Sequence, residues 1–145
     1  TTATIDSVSM LNRYFSDFVL EVDTKLVDGT DDNWHGVVCR FQDIGNYYAF
    51  GISADGYYQI ARFVDGQQLV IEPISYSTHI NQGWDVTNFI HIKCVGNRLS
   101  LAVNGHTLAN VTDNSFSGGE IGFLATSLAG SFSEIAFDNL VVTEP

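Results

Sequence analysis

FIHIKCVGNRLSLAVNGHTLANVTDNSFSGGEIGFLATS, residues 89–127, carries the clearest evidence about the fold. Two alternating segments flank Asn104-Gly105, a pair that tolerates the positive φ angles of a tight hairpin turn. A glycine-punctuated strand is predicted at 120–126, and SEIAFDNLVV (133–142) reads as a last strand. These segments have the two-residue period of β-strands and not the spacing of a helix. The fold class indicated is all-β.

The remainder of the chain repeats this pattern. Alternation predicts five further strands, at 17–27, 35–41, 46–54, 57–64 and 68–72. Asp55-Gly56 and Asp65-Gly66 serve as hairpin turns between the last three of them. About ten short strands at regular spacing favour a two-sheet antiparallel jelly-roll sandwich. Since no linker, repeat or charge block interrupts the chain, residues 1–145 are predicted to form one domain.

The Asp55-Gly56 turn indicates which residues face the core. A two-residue turn would pair Phe50 with Ala61, whereas a three-residue turn pairs Phe50 with Ile60. Only the three-residue turn matches apolar residues with apolar residues. It predicts a core face of Tyr48, Phe50, Ile52, Tyr58 and Ile60. The opposite face then carries small residues in its middle and aromatic residues at its edges: Tyr47, Ala49, Gly51, Ser53, Tyr57, Gln59, Ala61 and Phe63.

Composition narrows the possible partners. Six Lys and Arg stand against 17 Asp and Glu, giving a net charge of −11. A polyanion would be repelled, so no nucleic-acid partner is expected. No apolar run approaches the ~20 residues of a membrane span, so no membrane insertion is expected. The acidic balance, and a first residue that is not Met, fit a secreted or cell-surface protein whose leader was removed.

Two cysteines, Cys39 and Cys94, lie inside predicted strands. Cys39 shares a face with Val37 and Phe41, and Cys94 shares one with Ile90 and Ile92. A disulfide between them would close a long loop and add ~4 kcal/mol of stability. The alternative is two buried thiols that pack as small apolar residues.

The order of these motifs resembles the concanavalin A-like lectin/glucanase superfamily, which includes laminin G-like domains. The likeness is nearest to bacterial secreted domains akin to the 3-keto-disaccharide hydrolase family. It covers most of the chain from Phe15 onward, in the stretches FSDFVLEVDTKL, HGVVCRFQDIGNYYAFGISADGYYQIARF, FIHIKCVGNRLSLAVNGHTLANVTD, GEIGFLATS and IAFDNLVV. The resemblance implies a jelly roll that binds glycans on its concave sheet.

The aromatic face is the predicted binding site. Sugar rings stack on aromatic side chains, and amides bind their hydroxyls. The predicted ligand-binding residues are therefore Tyr47, Tyr57, Gln59 and Phe63, with Trp34 and Trp84 as loop walls. The alternative is that these aromatics pack under a crossing loop or against another subunit.

Two carboxylates on one predicted strand are the candidates for catalysis. Glu21 and Asp23 begin the E-x-D-x-x-E order of related glucanases, but Leu26 stands at the last position. No second pair of carboxylates is apparent, so no catalytic residue and no enzyme activity are predicted.

The resemblance also implies a metal site. It places a structural Ca²⁺ at Asp138, with Asp6 nearby; the alternative is that Asp138 caps a turn.

The function predicted is non-catalytic binding of an extracellular glycan or polysaccharide. The alternative is a structural or adhesive subunit that self-associates by β-strand addition. The β-prone arm TTATIDSVS, residues 1–9, would then complete the sheet of a neighbour.

Overall fold

The computed structural model describes residues 4–128 and 131–145, and the side chains of 8–127 and 131–145. Every regular element in this part of the chain is a β-strand. The strands are β1 (Thr4–Phe15), β2 (Phe18–Gly29), β3 (Trp34–Asp43), β4 (Asn46–Ser53), β5 (Tyr57–Val64), β6 (Gln67–Tyr76), β7 (Thr87–Val95), β8 (Arg98–Val103), β9 (His106–Thr112), β10 (Gly119–Leu128) and β11 (Ser133–Thr143). The described residues contain no helix long and apolar enough to cross a membrane.

The strands form two antiparallel sheets. One sheet has six strands in the order β1-β10-β3-β4-β5-β6, and the other has five in the order β11-β2-β7-β8-β9. The chain crosses between the sheets five times: from β1 to β2, β2 to β3, β6 to β7, β9 to β10 and β10 to β11. The predicted antiparallel jelly-roll sandwich is confirmed.

The hairpins follow the predicted turns. Asn104 and Gly105 have φ angles of 53° and 85°, so both adopt the left-handed conformation that the turn requires. At the Asp55-Gly56 turn, Phe50 pairs with Ile60, which is the register that the three-residue turn predicts. The predicted core face of β4 and β5 therefore points inward.

One core fills the space between the sheets. Phe18, Leu20 and Val22 of β2 alternate with solvent-facing residues and are fully buried. They belong to the same cluster as Phe50 and Ile60 of the opposite sheet. Burial of each large apolar side chain contributes roughly 1.5–3 kcal/mol. Because core side chains fill the space between the sheets, the faces left for a ligand are the outer ones.

A bulge at Arg40 corrects one prediction. Phe41 was expected on the inner face with Cys39, but it packs on the outer face beside Val38 and Tyr47. Arg40 has a φ of 48°, and the pairing of β3 with β4 shifts after Cys39. The additional residue rotates the following side chain to the other face of the sheet.

The buried Arg40 side chain joins three loops. Its guanidinium group is 1% exposed and donates hydrogen bonds to the carbonyl oxygens of Ser16, Gly96 and Phe116. It also contacts the Asp17 carboxylate at 3.3 Å. These contacts satisfy the buried donors, as an interior guanidinium requires.

Strand β1 includes most of the N-terminal arm. Its residues pair with β10 of the same chain, from Thr4 opposite Leu128 to Phe15 opposite Gly119. Residues 4–9 of the arm thus belong to an edge strand of the six-stranded sheet.

Candidate functional site

A cleft of about 230 Å³ lies on the outer face of the six-stranded sheet. Four residues of the predicted site line it together: Trp34, Tyr47, Gln59 and Phe63. They come from β3, β4 and β5, which are neighbours in the sheet. The remaining lining residues are Ala49, Gly51, Ala61, Gln68, Leu124 and Thr126.

Small residues form the floor of this cleft. Ala49 pairs with Ala61, and Gly51 pairs with Gln59, on adjacent strands. A methyl group added to Gly51 would lie 3.4 Å from the Trp34 ring. The absence of a side chain at Gly51 therefore lets the indole ring lie close to the sheet.

The backbone of Trp34 is held by Thr126 of β10. The Thr126 hydroxyl accepts a hydrogen bond from the Trp34 amide at 3.1 Å and donates one to its carbonyl at 3.2 Å. The indole N–H of Trp34 makes no hydrogen bond within the described residues. This leaves a positioned aromatic ring and a donor group for a ligand.

Gln59 contributes a polar group to the same cleft. Its side chain is 9% exposed, and its carbonyl oxygen accepts no hydrogen bond from the described residues. An unpaired buried carbonyl costs about 1–3 kcal/mol. A ligand hydroxyl that donates to this oxygen would remove that cost.

Tyr47 and Phe63 close one end of the cleft. Their rings stack with centroids 4.6 Å apart, and Phe41 packs beside Tyr47 at 5.3 Å. Tyr47 is only 3% exposed. Because Phe63 covers one face of the Tyr47 ring, Tyr47 is less accessible to a ligand than its predicted stacking role requires.

Tyr57 and Trp84, which were predicted to bind the ligand with the other four, do not line this cleft. Tyr57 is on the same face of the sheet, but its ring packs edge-on against Tyr76 at 5.5 Å. Trp84 is half exposed on the β6–β7 loop and donates its indole N–H to the Gly29 carbonyl at 2.9 Å. Loop composition alone did not indicate where this Trp84 side chain would lie.

Sequence reasoning missed three lining residues: Gln68, Leu124 and Thr126. Leu124 and Thr126 come from β10, which is far from β4 in sequence but lies next to β3 in the sheet. The alternation within β10 is visible in the sequence, and it would have indicated their face once the strand order was known.

Glu21 and Asp23 lie on the other side of the sandwich. They are on the outer face of the five-stranded sheet, where Glu21 contacts His91 at 3.4 Å. Asp23 accepts a hydrogen bond from the Asn139 amide at 2.9 Å. Neither carboxylate faces the cleft, whose lining contains no acidic residue and no histidine.

Of the two predicted calcium ligands, only the side chain of Asp138 is described. The Asp138 carboxylate accepts a hydrogen bond from the Asn139 backbone N–H, as a turn cap would. The side chain of Asp6 lies outside the described part of the chain. Within that part, no three His, Cys, Asp or Glu side chains come together as metal ligands. Asp138 pairs with Asp23 of β2, and a Ca²⁺ ion there would need further oxygens to reach six to eight ligands, so the calcium site stays a prediction.

Cys39 and Cys94 meet in the core. They are thiols whose sulfur atoms are 3.4 Å apart, with Cys39 on the six-stranded sheet and Cys94 on the five-stranded sheet. Burial, followed by the hydrogen bond with Cys94, raises the pKa of Cys39. The predicted disulfide stays a prediction.

Solved structures share this architecture. The predicted likeness in fold is confirmed by jelly-roll structures named as a carbohydrate-binding module and galectins. The carbohydrate-binding module CBM66 from Bacillus subtilis superposes with a TM-score of 0.79 at 21% identity, over 97% of this chain and 82% of that one. CG-16, a homodimeric agglutinin from chicken liver, gives 0.65 at 14% identity, over 96% and 100%.

A larger protein contains a similar region. The GH43 protein BlXynB from Bacillus licheniformis superposes with a TM-score of 0.60 at 10% identity, over 90% of this chain but 28% of that one. A scan of protein-family models and a search of curated protein sequences found no match. At these identities the comparisons establish the fold.

Proposed function

We propose that this chain is a carbohydrate-binding domain whose cleft holds a sugar of an extracellular glycan. The observation that carries the proposal is the arrangement of Trp34 and Gln59 around a floor of small residues. A sugar ring presents an apolar C–H face to an indole ring and hydroxyl groups to an amide. The similar structures named as a carbohydrate-binding module and an agglutinin support the same function.

The proposed role is non-catalytic. Hydrolysis of a glycosidic bond ordinarily requires two carboxyl groups that flank it. The cleft has none, and Glu21 and Asp23 face away from it. A secreted or cell-surface location is part of the proposal and is supported by the acidic composition. A structural calcium ion at Asp138 stays an untested prediction.

Two tryptophan variants test the proposal. We expect Trp34→Ala to lower the affinity for a glycan selected on an array by about tenfold or more, because a central Trp often dominates a binding site. Trp84→Ala is the matched control, since it removes the same side chain outside the cleft, and we expect unchanged affinity. The array is run in calcium and in a chelator, which tests the calcium prediction at the same time.

A third variant tests the polar group of the cleft, and spectra test the folding of all three variants. Gln59→Leu keeps the volume of the side chain but removes its hydrogen-bonding groups, and it should also weaken binding. Circular dichroism spectra and melting curves establish that each variant is folded. Equal loss of affinity in the two tryptophan variants, or no selective glycan on the array, would contradict the proposal.

A further inference from the structure

A second groove, of about 550 Å³, runs along the outer face of the five-stranded sheet. Its floor is formed by Ser100 and Ala102 of β8, whose side chains are small. The walls come from the two neighbouring strands, β7 and β9. The wall residues are Phe89, His91, Lys93, Thr107 and Asn110, and Arg98 lies at one end.

Two of the chain's few cations meet in this groove. Lys93 faces Ser100 across the β7–β8 pair, and Arg98 faces Val95. Lys93 and Arg98 are therefore diagonal neighbours on one face, about 7–8 Å apart at their Cα atoms. Both side chains are exposed and long enough to reach a common ligand atom.

These two cations are unpaired within the described residues. Arg40 and Arg62 contact carboxylates, but Lys93 and Arg98 make no ion pair or hydrogen bond there. On the neighbouring strand β2, Glu21 contacts His91 and is a diagonal neighbour of Lys93. In a chain of net charge −11, two adjacent cations without an ion pair concentrate positive charge at this end of the groove.

The rest of the groove suits a polyhydroxylated ligand. Thr107, Asn110 and Ser100 present hydroxyl and amide groups along it. Phe89, 36% exposed, lies about 13 Å from Lys93 along the strand, at roughly 3.3 Å per residue. The groove therefore offers an aromatic surface at one end and two positive charges at the other.

We infer that this groove is a second binding site, for an acidic oligosaccharide. Lys93 and Arg98 would bind the carboxylate or sulfate of one sugar unit, since Arg forms a planar fork and Lys a point charge. Hydroxyl groups of the next units would contact Asn110 and Thr107, and an apolar sugar face would pack on Phe89. This site is on the opposite side of the sandwich from the cleft and does not depend on it.

The test is a titration with a trigalacturonate at low ionic strength, in which calorimetry and amide chemical shifts measure binding. The protein is made in a bacterial host, so that the Asn110-Val111-Thr112 sequon stays unmodified. We expect Lys93→Gln with Arg98→Gln to weaken binding roughly tenfold, since two charge-assisted contacts are lost. The control, Arg13→Gln with Lys25→Gln, removes the same charge outside the groove and should change affinity less than about twofold.

Further ligands identify the chemistry. Preference for a sulfated trisaccharide over the uronate would support the site and assign sulfate as its anion. Equal binding of the methyl-esterified trisaccharide would overturn the role of the charges, and equal binding of an oligoglutamate would overturn the assignment to sugars. No binding, equal loss in both double variants, or loss on Trp34→Ala would also overturn the inference, the last by placing the ligand in the cleft.

Discussion

His35 is a buried histidine whose environment favours its neutral form. It is 1% exposed, its Nε2 atom lies 3.3 Å from the Thr24 hydroxyl, and its ring packs edge-on near Phe137. Its Nδ1 atom has no hydrogen-bond partner among the described residues. Burial lowers the pKa of His35 to about 4. The protonated form would be a charge without a partner in the core.

This lowered pKa predicts how stability depends on pH. Above about pH 6.5, His35 is neutral in the folded and the unfolded chain. As the pH falls from 6.5 towards 4, the unfolded chain binds a proton that the folded chain does not bind, so stability decreases. We expect His35 to lower the free energy of unfolding by roughly 2–3 kcal/mol at pH 4.5, relative to pH 7.5. Urea unfolding at the two pH values measures this change.

The variant His35→Gln isolates this contribution. It cannot titrate in this range, so its free energy of unfolding should fall less between the two pH values, even if the variant is less stable throughout. Parallel changes in the two proteins would show that His35 does not cause the pH dependence.

Tyr48 and Asp113 form a second buried polar contact with a different pH range. The Tyr48 hydroxyl donates to the Asp113 carboxylate at 2.6 Å, and Arg62 contacts the same carboxylate at 2.7 Å. Burial raises the pKa of Asp113, but hydrogen bonds from Ser115 and Tyr48 outweigh it and leave that pKa below its usual value. Stability from Asp113 is therefore lost only in more acidic solution than the range assigned to His35.

Among the strands, the pairing of β1 bears on whether the protein is a self-contained domain or a subunit that donates a strand to a neighbour. It pairs with β10 along most of its length, and Val8 and Met10 pack on the outer cluster around Tyr47. A strand already paired in its own chain is not available to a neighbour without local unfolding.

Deletion of residues 1–9 tests this role. We expect the truncated protein to lose roughly 2–3 kcal/mol of stability, because backbone hydrogen bonds to β10 and the burial of Val8 are lost. Thermal unfolding measures the loss, and size-exclusion chromatography measures the assembly state. A control lacking residues 1–3 keeps all of β1 as described. Unchanged stability, together with polymers formed by the full chain alone, would favour the structural subunit.

At the scale of the whole molecule, a disulfide between Cys39 and Cys94 would join the two sheets covalently. They lie 55 positions apart in sequence and on opposite sheets. Both are fully buried, so the thiols are protected from reagents while the protein is folded.

Refolding under oxidising conditions is expected to form the bridge. The closed loop would stabilise the protein by about 4 kcal/mol on the chain-entropy estimate, which calorimetry compares with the reduced protein. The variant Cys39→Ala should show the same stability in both conditions. Two free thiols in the denatured, unreduced protein would contradict the expectation.

Much of the architecture was predictable from local patterns. Alternation placed Tyr48 and Phe50 in the core, and the positive φ of Asn104 and Gly105 was expected from these residue types, which favour tight hairpin turns. The error at Phe41 arose from a bulge, which shifts the face of every following residue and has no clear signature in the sequence. The position of Trp84 could not be predicted, because a loop residue has no periodicity from which to infer its face.

The sequence by itself determined the all-β class, the hairpins and the inward and outward faces of most strands. These properties depend on a two-residue period and on turn residues that are neighbours along the chain. Only the tertiary structure decided that Trp34, Gln59 and Leu124 share a cleft, and that Glu21 faces away from it. Strand order and the pairing of distant segments follow from packing of the whole core, because long-range contacts compete in free energy over the entire chain.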